Sequence, residues 1–301
     1  MPSKIIDYAK DWNVPHGKTL VITSGNSGIG FEVLRHVLRR GFRVYMGLRN
    51  LEKGEVARKK LLEEFPEADI TIWHLDLSSS QSIRDFCDKI IDSHLDFDVF
   101  YANAGVYRIP YRLVEHGIEE TAYVNFVANF LLYEALKDYA RSLPHPVKWI
   151  LTSSITARFA RFRESDFFGG KKYKKAPAYA RSKVAVNMLF QHMRQQCHDT
   201  NIIPLLVHPG TTHTPLIEKA YPQKGFRRAA EIFLRSVFHS PEKASLSTLY
   251  LLRDEVQEPC FCGPRGPFHL SGYPVIYRLY SRNLKNQEQI FTALADILAK
   301  E

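Results

Sequence analysis

TSGNSGIG, Thr23 to Gly30, sets three glycines among small polar residues, and its two flanks give it meaning. KTLVI before it is a short apolar run that fits a buried strand. FEVLRHVLRRG after it is apolar at helical spacing and closes on Gly41. A strand, a tight glycine turn and a helix form the first half of a βαβ unit. Small residues let a backbone approach a pyrophosphate, and the helix that follows offers free N–H groups and the positive end of its dipole. The spacing Gly25-x-x-Gly28-x-Gly30 reverses the commoner order of a dinucleotide turn, so it gains force only from what lies beyond it.

The alternation continues along the chain. Strands are expected at Thr19–Thr23, Arg43–Leu48, Asp69–Leu75, Asp98–Tyr101, Lys148–Thr152 and Ile202–Val207, each short and apolar on both faces, as a covered parallel sheet requires. Helices are expected at Gly28–Arg40, Leu51–Glu64, Ser80–Ser93, Gly117–Ser142 and Ala178–His198, the third capped by Ser79 or Ser80. This pattern means a doubly wound α/β sheet, and 301 residues at 45% hydrophobic suit one large domain. Two stretches break it: the basic, aromatic Ala157–Pro177, and Thr211–Gly272, which holds helical patterns of its own.

Composition bounds the function. A net charge of +9 fits an anionic ligand, a nucleic acid or a solvated lysine-rich surface. KKYKK is a small patch on one loop and no nucleic-acid motif accompanies it, so nucleic acid is not an expected partner. The four cysteines lack metal-hook spacing, CFC included, and no metal site is expected. They read as reduced thiols, three of them in the core, in a cytoplasmic protein. No apolar run suits a signal peptide or a bilayer span. After the second strand, where an NAD site carries an acid for the ribose hydroxyls, stand Leu48 and Arg49. An arginine there suits a 2′-phosphate and hence NADP(H).

With these residues in view the chain resembles the short-chain dehydrogenases/reductases over nearly its whole length. The family's T-G-x-x-x-G-x-G matches Thr23 to Gly30, with Ser24 in place of the first glycine. Asp76 in LDLS, ANAG at Ala102–Gly105, Asn125, the serines of TSS, YARSK at Tyr179–Lys183 and HPGTTHT at His208–Thr214 follow in the family's order. The resemblance implies a Rossmann-type, three-layer α/β/α domain. It implies cofactor contacts from Ser24, Gly25, Asn26, Ser27, Gly28, Ile29 and Gly30. Further contacts would come from Arg49, Asn50, Asp76, Leu77, Asn103, Ala104 and Gly105, and from Pro209, Gly210, Thr212 and Thr214.

The chemistry explains the catalytic residue types. Moving a hydride between a nicotinamide and a carbonyl carbon needs a proton donor at the oxygen. A free phenol titrates near 10. A lysine one helical turn on places a charge near it and favours the phenolate, so Tyr179 is the expected acid/base and Lys183 the residue that lowers its pKa. By resemblance Lys183 also bonds the nicotinamide ribose, and Asn125 holds a relay water. Chemistry does not separate Ser153 from Ser154, and the family pattern selects Ser154 as the group on the substrate oxygen. His208 and His213 read as packing or loop residues, because the Tyr/Lys pair fills the base role.

Tyr179 comes 25 positions after Ser154, and the added length holds Phe159, Phe162, Phe167 and Phe168. That insertion, and GPRGPFHLSGYP near the C-terminus, resemble the retinol dehydrogenase branch. The expected function is therefore NADP(H)-dependent interconversion of an alcohol and its ketone or aldehyde, on a bulky apolar substrate. The substrate would meet a flexible apolar loop at about 157–177 and a lid at about 211–240. A reductase of an activated C=C bond on the same fold, and a catalytically idle NADP(H) sensor, are the alternatives. A homo-oligomer is compatible with the sequence.

Overall fold

The structure, a computed structural model, describes residues 12–160, 162, 167–169, 173–212, 240–266, 269–279 and 287–299. Its centre is an eight-stranded sheet in the order β3-β2-β1-β4-β5-β6-β7-β8, with β8 alone antiparallel. The strands are β1 Thr19–Thr23, β2 Arg43–Leu48, β3 Ile70–His74, β4 Val99–Ala102, β5 Val147–Thr152, β6 Ile202–Val207, β7 Cys260–Pro264 and β8 Pro274–Tyr277. The chain winds outward from β1 to β3 and then returns to lay β4 on the other side of β1. Connections diverge between β1 and β4, and beyond their carboxyl ends such a sheet takes its ligand.

Alternation within each strand divides the core. Leu20, Ile22, Val44, Met46, Ile150 and Val207 pack on one face with α1 (Gly28–Leu38) through Val33, Leu34 and Val37. α6 (Pro241–Leu251) joins that layer through Leu246 and Leu249. Val21, Phe100, Trp149 and Leu206 face the other layer. It is built by α3 (Ser80–Asp92), α4 (Ala128–Ser142), α5 (Lys175–Gln196) and α7 (Gln287–Leu298). Phe100 stacks on Trp149 at 4.2 Å between centroids, and Tyr133 meets the same indole edge-on at 5.5 Å. Side chains close the helix starts: Asn50 Oδ1 accepts from Lys53 N on α2 (Leu51–Glu64), Ser79 Oγ from Ser82 N on α3, and Ser240 Oγ from Lys243 N on α6.

Two expectations change. The helix expected from Gly117 begins at Glu120, because His116 (φ 55°) and Gly117 (φ 66°) are left-handed, and Glu119 accepts from Thr121 N and Ala122 N to start it. It then passes through a π-helical turn, Tyr123–Val127, before α4. Within Thr211–Gly272, expected to break the alternation with helical patterns, CFC is the body of a further strand, β7, with Cys262 buried beside β6. Cys87 and Cys197 are buried too, while Cys260 is half-exposed. Among the described residues no helix is long and apolar enough to cross a membrane.

Candidate active site

The turn after β1 is bound to the loop after β4. Asn103 Nδ2 donates to Thr23 O at 3.2 Å and to Ser24 O, while Ala104 N donates to Thr23 Oγ1 at 3.0 Å. Ser24 N reaches Gly47 O at 3.0 Å. Ser24 has φ 60°, the left-handed region that explains a glycine at this place in the motif. Serine holds the conformation at a cost of about 1–2 kcal/mol, and the turn keeps its backbone bonds. Gly30 is required by contact: a Cβ there would lie 2.6 Å from Ser24 O and 2.7 Å from Asn103 Nδ2. Unlike α2, α3 and α6, α1 has no side-chain cap, and no acid stands in its first turn, where α2 has Glu52 and α6 Glu242. Its first N–H groups are thus left for an anion.

The other residues expected to meet a cofactor follow the same ends of the strands. Arg49 and Asn50 are exposed, and Asn50 is occupied in capping α2. Among the described residues Arg49 makes no hydrogen bond or ion pair. Asp76 Oδ1 accepts from Ser78 N at 2.9 Å and Ser78 Oγ at 2.7 Å, and the neighbouring Leu77 is buried. Gly210 N donates to His208 Nδ1, and Thr212 Oγ1 is buried without a partner among the described residues. Thr214 and His213 lie outside the described residues. An uncapped helix, a free arginine beyond β2 and an orphaned hydroxyl beside Pro209 suit a phosphate-bearing dinucleotide.

The catalytic candidates converge where β5 ends. Ser154 follows the strand and caps a short 3₁₀ helix, Ile155–Arg158, its Oγ accepting from Thr156 N at 3.3 Å and Thr156 Oγ1 at 3.0 Å, and it lies close enough to the Tyr179 hydroxyl to lower its pKa. Ser153 points elsewhere: it is buried and donates to Asn187 Oδ1. Geometry thus separates two serines that chemistry left equal. Lys183, one turn after Tyr179 on α5, is 4% exposed and donates to Thr152 O at 2.8 Å. Its ammonium lies 5.8 Å from the Tyr179 ring centroid.

Asn125 sits in the π-helical turn. Its Oδ1 accepts from Val106 N at 2.8 Å, and its Nδ2 donates to Val106 O at 3.0 Å and Ser182 Oγ at 2.9 Å. Ser182 Oγ donates in turn to Tyr179 O at 2.8 Å. The amide ties the loop after β4 to α5, and Gly105 is confined by it: a Cβ there would stand 3.0 Å from Asn125 Oδ1. Extra residues in a helical ladder of this kind often mark functional positions.

Burial governs the proton affinities. It raises the Tyr179 phenol to about 12, with the neighbouring Ser154 hydroxyl opposing the rise and Tyr107 adding to it. Burial lowers Lys183 to about 8. Burial is the largest influence on the phenol, and the Lys183 ammonium donates to a backbone carbonyl. His208 is buried against Phe261 and Tyr277, a packing residue as expected.

The long insertion also differs from expectation. Phe162, Phe167 and Phe168 are in the core, Phe167 meeting Phe126 at 5.8 Å, and Tyr173 OH donates to Ile109 O at 2.9 Å. They anchor the insertion, and Phe159, 70% exposed, is the aromatic left outside. Sequence reasoning missed Tyr107, edge-on to Tyr179 at 4.6 Å, and Ser182. Ser182 carried a signal: it is a small polar residue one turn from Tyr179 and next to Lys183.

The comparisons agree with this arrangement. The family profile described as short chain dehydrogenase matches residues 18–163 and 165–225. Mouse retinol dehydrogenase 14 is 29% identical over 251 residues, covering 80% of this chain and 75% of the relative. Mouse retinol dehydrogenase 12 is 34% identical over 210 residues, covering 68% and 65%. Among solved structures, an uncharacterized protein from Mycobacterium paratuberculosis superposes with a TM-score of 0.74 at 26% identity, covering 96% and 94%. L-sorbose reductase from Gluconobacter frateurii, complexed with NADPH and L-sorbose, gives 0.66 at 19% identity, covering 83% and 96%, a likeness of fold. The glycine turn, the Ser154–Tyr179–Lys183 cluster and the matched profile describe an alcohol/carbonyl oxidoreductase using a nicotinamide cofactor, and the chain belongs to the short chain dehydrogenase family.

Proposed function

We propose that the protein interconverts an alcohol and its aldehyde or ketone with NADP(H). The observation that carries this is the hydroxyl pair of Ser154 and Tyr179 at the end of β5, with Lys183 beneath it. A phenol held near 12 keeps its proton at pH 7. Tyr179 is then the resting acid, ready to protonate a carbonyl oxygen as negative charge develops on it. Ser154 donates to the same oxygen and fixes its position. The nicotinamide would supply or accept the hydride. Lys183 would bond its ribose and hold positive charge close to the phenol, and Asn125 would fix the approach of α5 to the loop after β4. Asn125, Ser154, Tyr179 and Lys183 are all present in the sequence, which weighs against an idle sensor.

NADP(H) is preferred in this reading because Arg49 is exposed, has no described partner and follows a strand that ends without an acid. The fit of the uncapped α1 supports the pyrophosphate half. Tyr107, edge-on to Tyr179, offers an aromatic face beside the reacting hydroxyl, which supports an apolar substrate body. A panel of aldehydes, ketones, steroids and retinoids, followed by NADPH absorbance, tests the activity. Turnover with NADPH above that with NADH is expected. Binding of both cofactors without turnover of any carbonyl compound would refute the enzyme reading.

A further inference from the structure

The loop after β4 is pinned on both sides of Tyr107. Before it, Val106 exchanges two bonds with the Asn125 amide, at 2.8 and 3.0 Å. After it, Ile109 O accepts from the Tyr173 hydroxyl at 2.9 Å. Tyr173 is the centre of KKYKK, and its ring centroid lies 5.3 Å from that of Tyr111, whose hydroxyl donates to Gly169 O at 3.0 Å. Glu119 N, at the end of the same stretch, donates to Phe168 O at 2.7 Å. Phe168, Gly169 and Tyr173 belong to the insertion between Ser154 and Tyr179, so the insertion braces this loop. Within the braced stretch Arg108 is held at φ 52°, a conformation that persists in a non-glycine residue only where its surroundings over-determine it.

The brace delivers one aromatic contact to the site. The Tyr107 ring meets the Tyr179 ring at 4.6 Å between centroids, with the planes at 86°. Asn125 and Ser182 already tie the loop to the backbone of α5, and the ring pair ties it to the reacting side chain itself. Edge-to-face packing has a preferred geometry, so it restricts rotation of the phenol. The hydroxyl is the atom of that side chain farthest from the backbone, and a misplacement of about 1 Å at a reacting atom can cost about a hundredfold in rate. We propose that Tyr107 is a positioning residue: its ring holds the Tyr179 hydroxyl toward the reacting oxygen, and the insertion acts on the rate by bracing Tyr107 through Tyr173. This rests on the oxidoreductase reading above and adds to it the group that aims its acid. The described groups that face Tyr179 are Ser154 from the end of β5, Lys183 from its own helix and Tyr107 from the loop. A ring packed against the phenol also keeps water from it, so its removal should let the phenol titrate closer to its ordinary value of about 10.

The test is single-turnover reduction of an accepted aldehyde by the full chain with saturating NADPH, from neutral pH to about 10, beside a cofactor titration and a urea melt. Tyr107→Leu should lower the rate by about ten- to a hundredfold, with NADPH affinity close to wild type. Its rate should also begin to fall at a lower pH than that of the wild type, whereas a loss of folded protein alone would lower the rate by the same factor at every pH. Tyr107→Phe keeps the ring and should recover most of the rate. Tyr173→Phe removes the bond to Ile109 O and should slow the reaction by about three- to tenfold, with the same change in pH dependence. It decides the matter if Tyr107→Leu does not fold. A Tyr107→Leu rate close to wild type, a loss uniform in pH, or a Tyr107→Phe protein as slow as Tyr107→Leu would overturn this proposal alone. So would an unaltered Tyr173→Phe. A wild type that binds NADPH and reduces no carbonyl compound would overturn the oxidoreductase reading and take this one with it.

Discussion

Lys183 and Lys148 are two buried lysines at opposite ends of the same sheet. They are 4% and 9% exposed, and burial lowers both to about 8. Each ammonium donates to one backbone carbonyl, Lys183 to Thr152 O at 2.8 Å and Lys148 to Arg253 O at 2.5 Å. Their proton affinities are indistinguishable, so a perturbed pKa does not locate the chemistry. Their neighbours do. Lys183 lies beyond the carboxyl end of β5 among Tyr179, Asn125 and Gly105, all on elements that meet at the switch point. Lys148 lies near the start of β5, within reach of Asp254, Glu255 and Cys260, where connections do not diverge.

The widest separation of the two should come from methionine substitutions. Lys183→Met should cut kcat by roughly two to four orders of magnitude and weaken NADPH binding, since acid–base support and ribose contact are lost together. Lys148→Met should leave turnover within about twofold and be neutral or stabilising at pH 7, because a buried ammonium is exchanged for an apolar chain of similar length. Arg253 O keeps a donor in Val256 N, so no orphan is left behind. Steady-state kinetics and urea melts of both variants decide this, and equal kinetic losses would erase the contrast.

The adjacent serines offer a second separation. Ser154→Ala removes a donor at the reacting oxygen and should cost about two to three orders of magnitude in kcat, with little change in stability. Ser153→Ala leaves the buried Asn187 Oδ1 without its donor and should cost about 1–3 kcal/mol of stability, with kcat close to wild type. Reversed phenotypes would exchange their roles.

A third test uses pH. Lys148 titrates near 8 when folded and near 10.5 when unfolded, so the unfolded chain binds more protons between those values and stability rises with pH through that window. About 3 kcal/mol is at stake. The stability advantage of Lys148→Met over wild type should therefore shrink between pH 7.5 and 10, read from urea melts. A constant advantage would show that Lys148 is not desolvated. The smallest effect expected is at the rim: Arg49→Ala should weaken NADP(H) by about 1–3 kcal/mol and barely touch NAD(H), by titration of both.

What could be read in the sequence followed from local physics. β1, β2, β6 and α2 have the limits that their apolar runs and caps dictate, because strands buried on both faces tolerate few polar residues. Asn125, Ser154, Tyr179 and Lys183 are brought to one place because their motifs end strands or begin helices at the same edge. What was not legible depends on tertiary contact. YVNFV reads as ordinary helix, and its π-helical turn accompanies the bonds of Asn125 to Val106 and Ser182. The phenylalanines of the insertion read as a substrate wall until Phe126 appears beside them. β7 is five residues between a proline and a glycine-rich loop, too short for a period to show. The upward push of burial on the phenol was not legible either, since a sequence shows the lysine and hides the burial.

The central claim is that Tyr179 delivers the proton. The most direct measurement is single-turnover reduction of an accepted aldehyde by Tyr179→Phe with saturating NADPH, beside a cofactor titration. The account predicts a rate lower by roughly two to four orders of magnitude with NADPH affinity retained, because the ring stays and only the proton is lost. A variant that turns over at near wild-type rate would contradict it and return the fold to the cofactor-sensor reading.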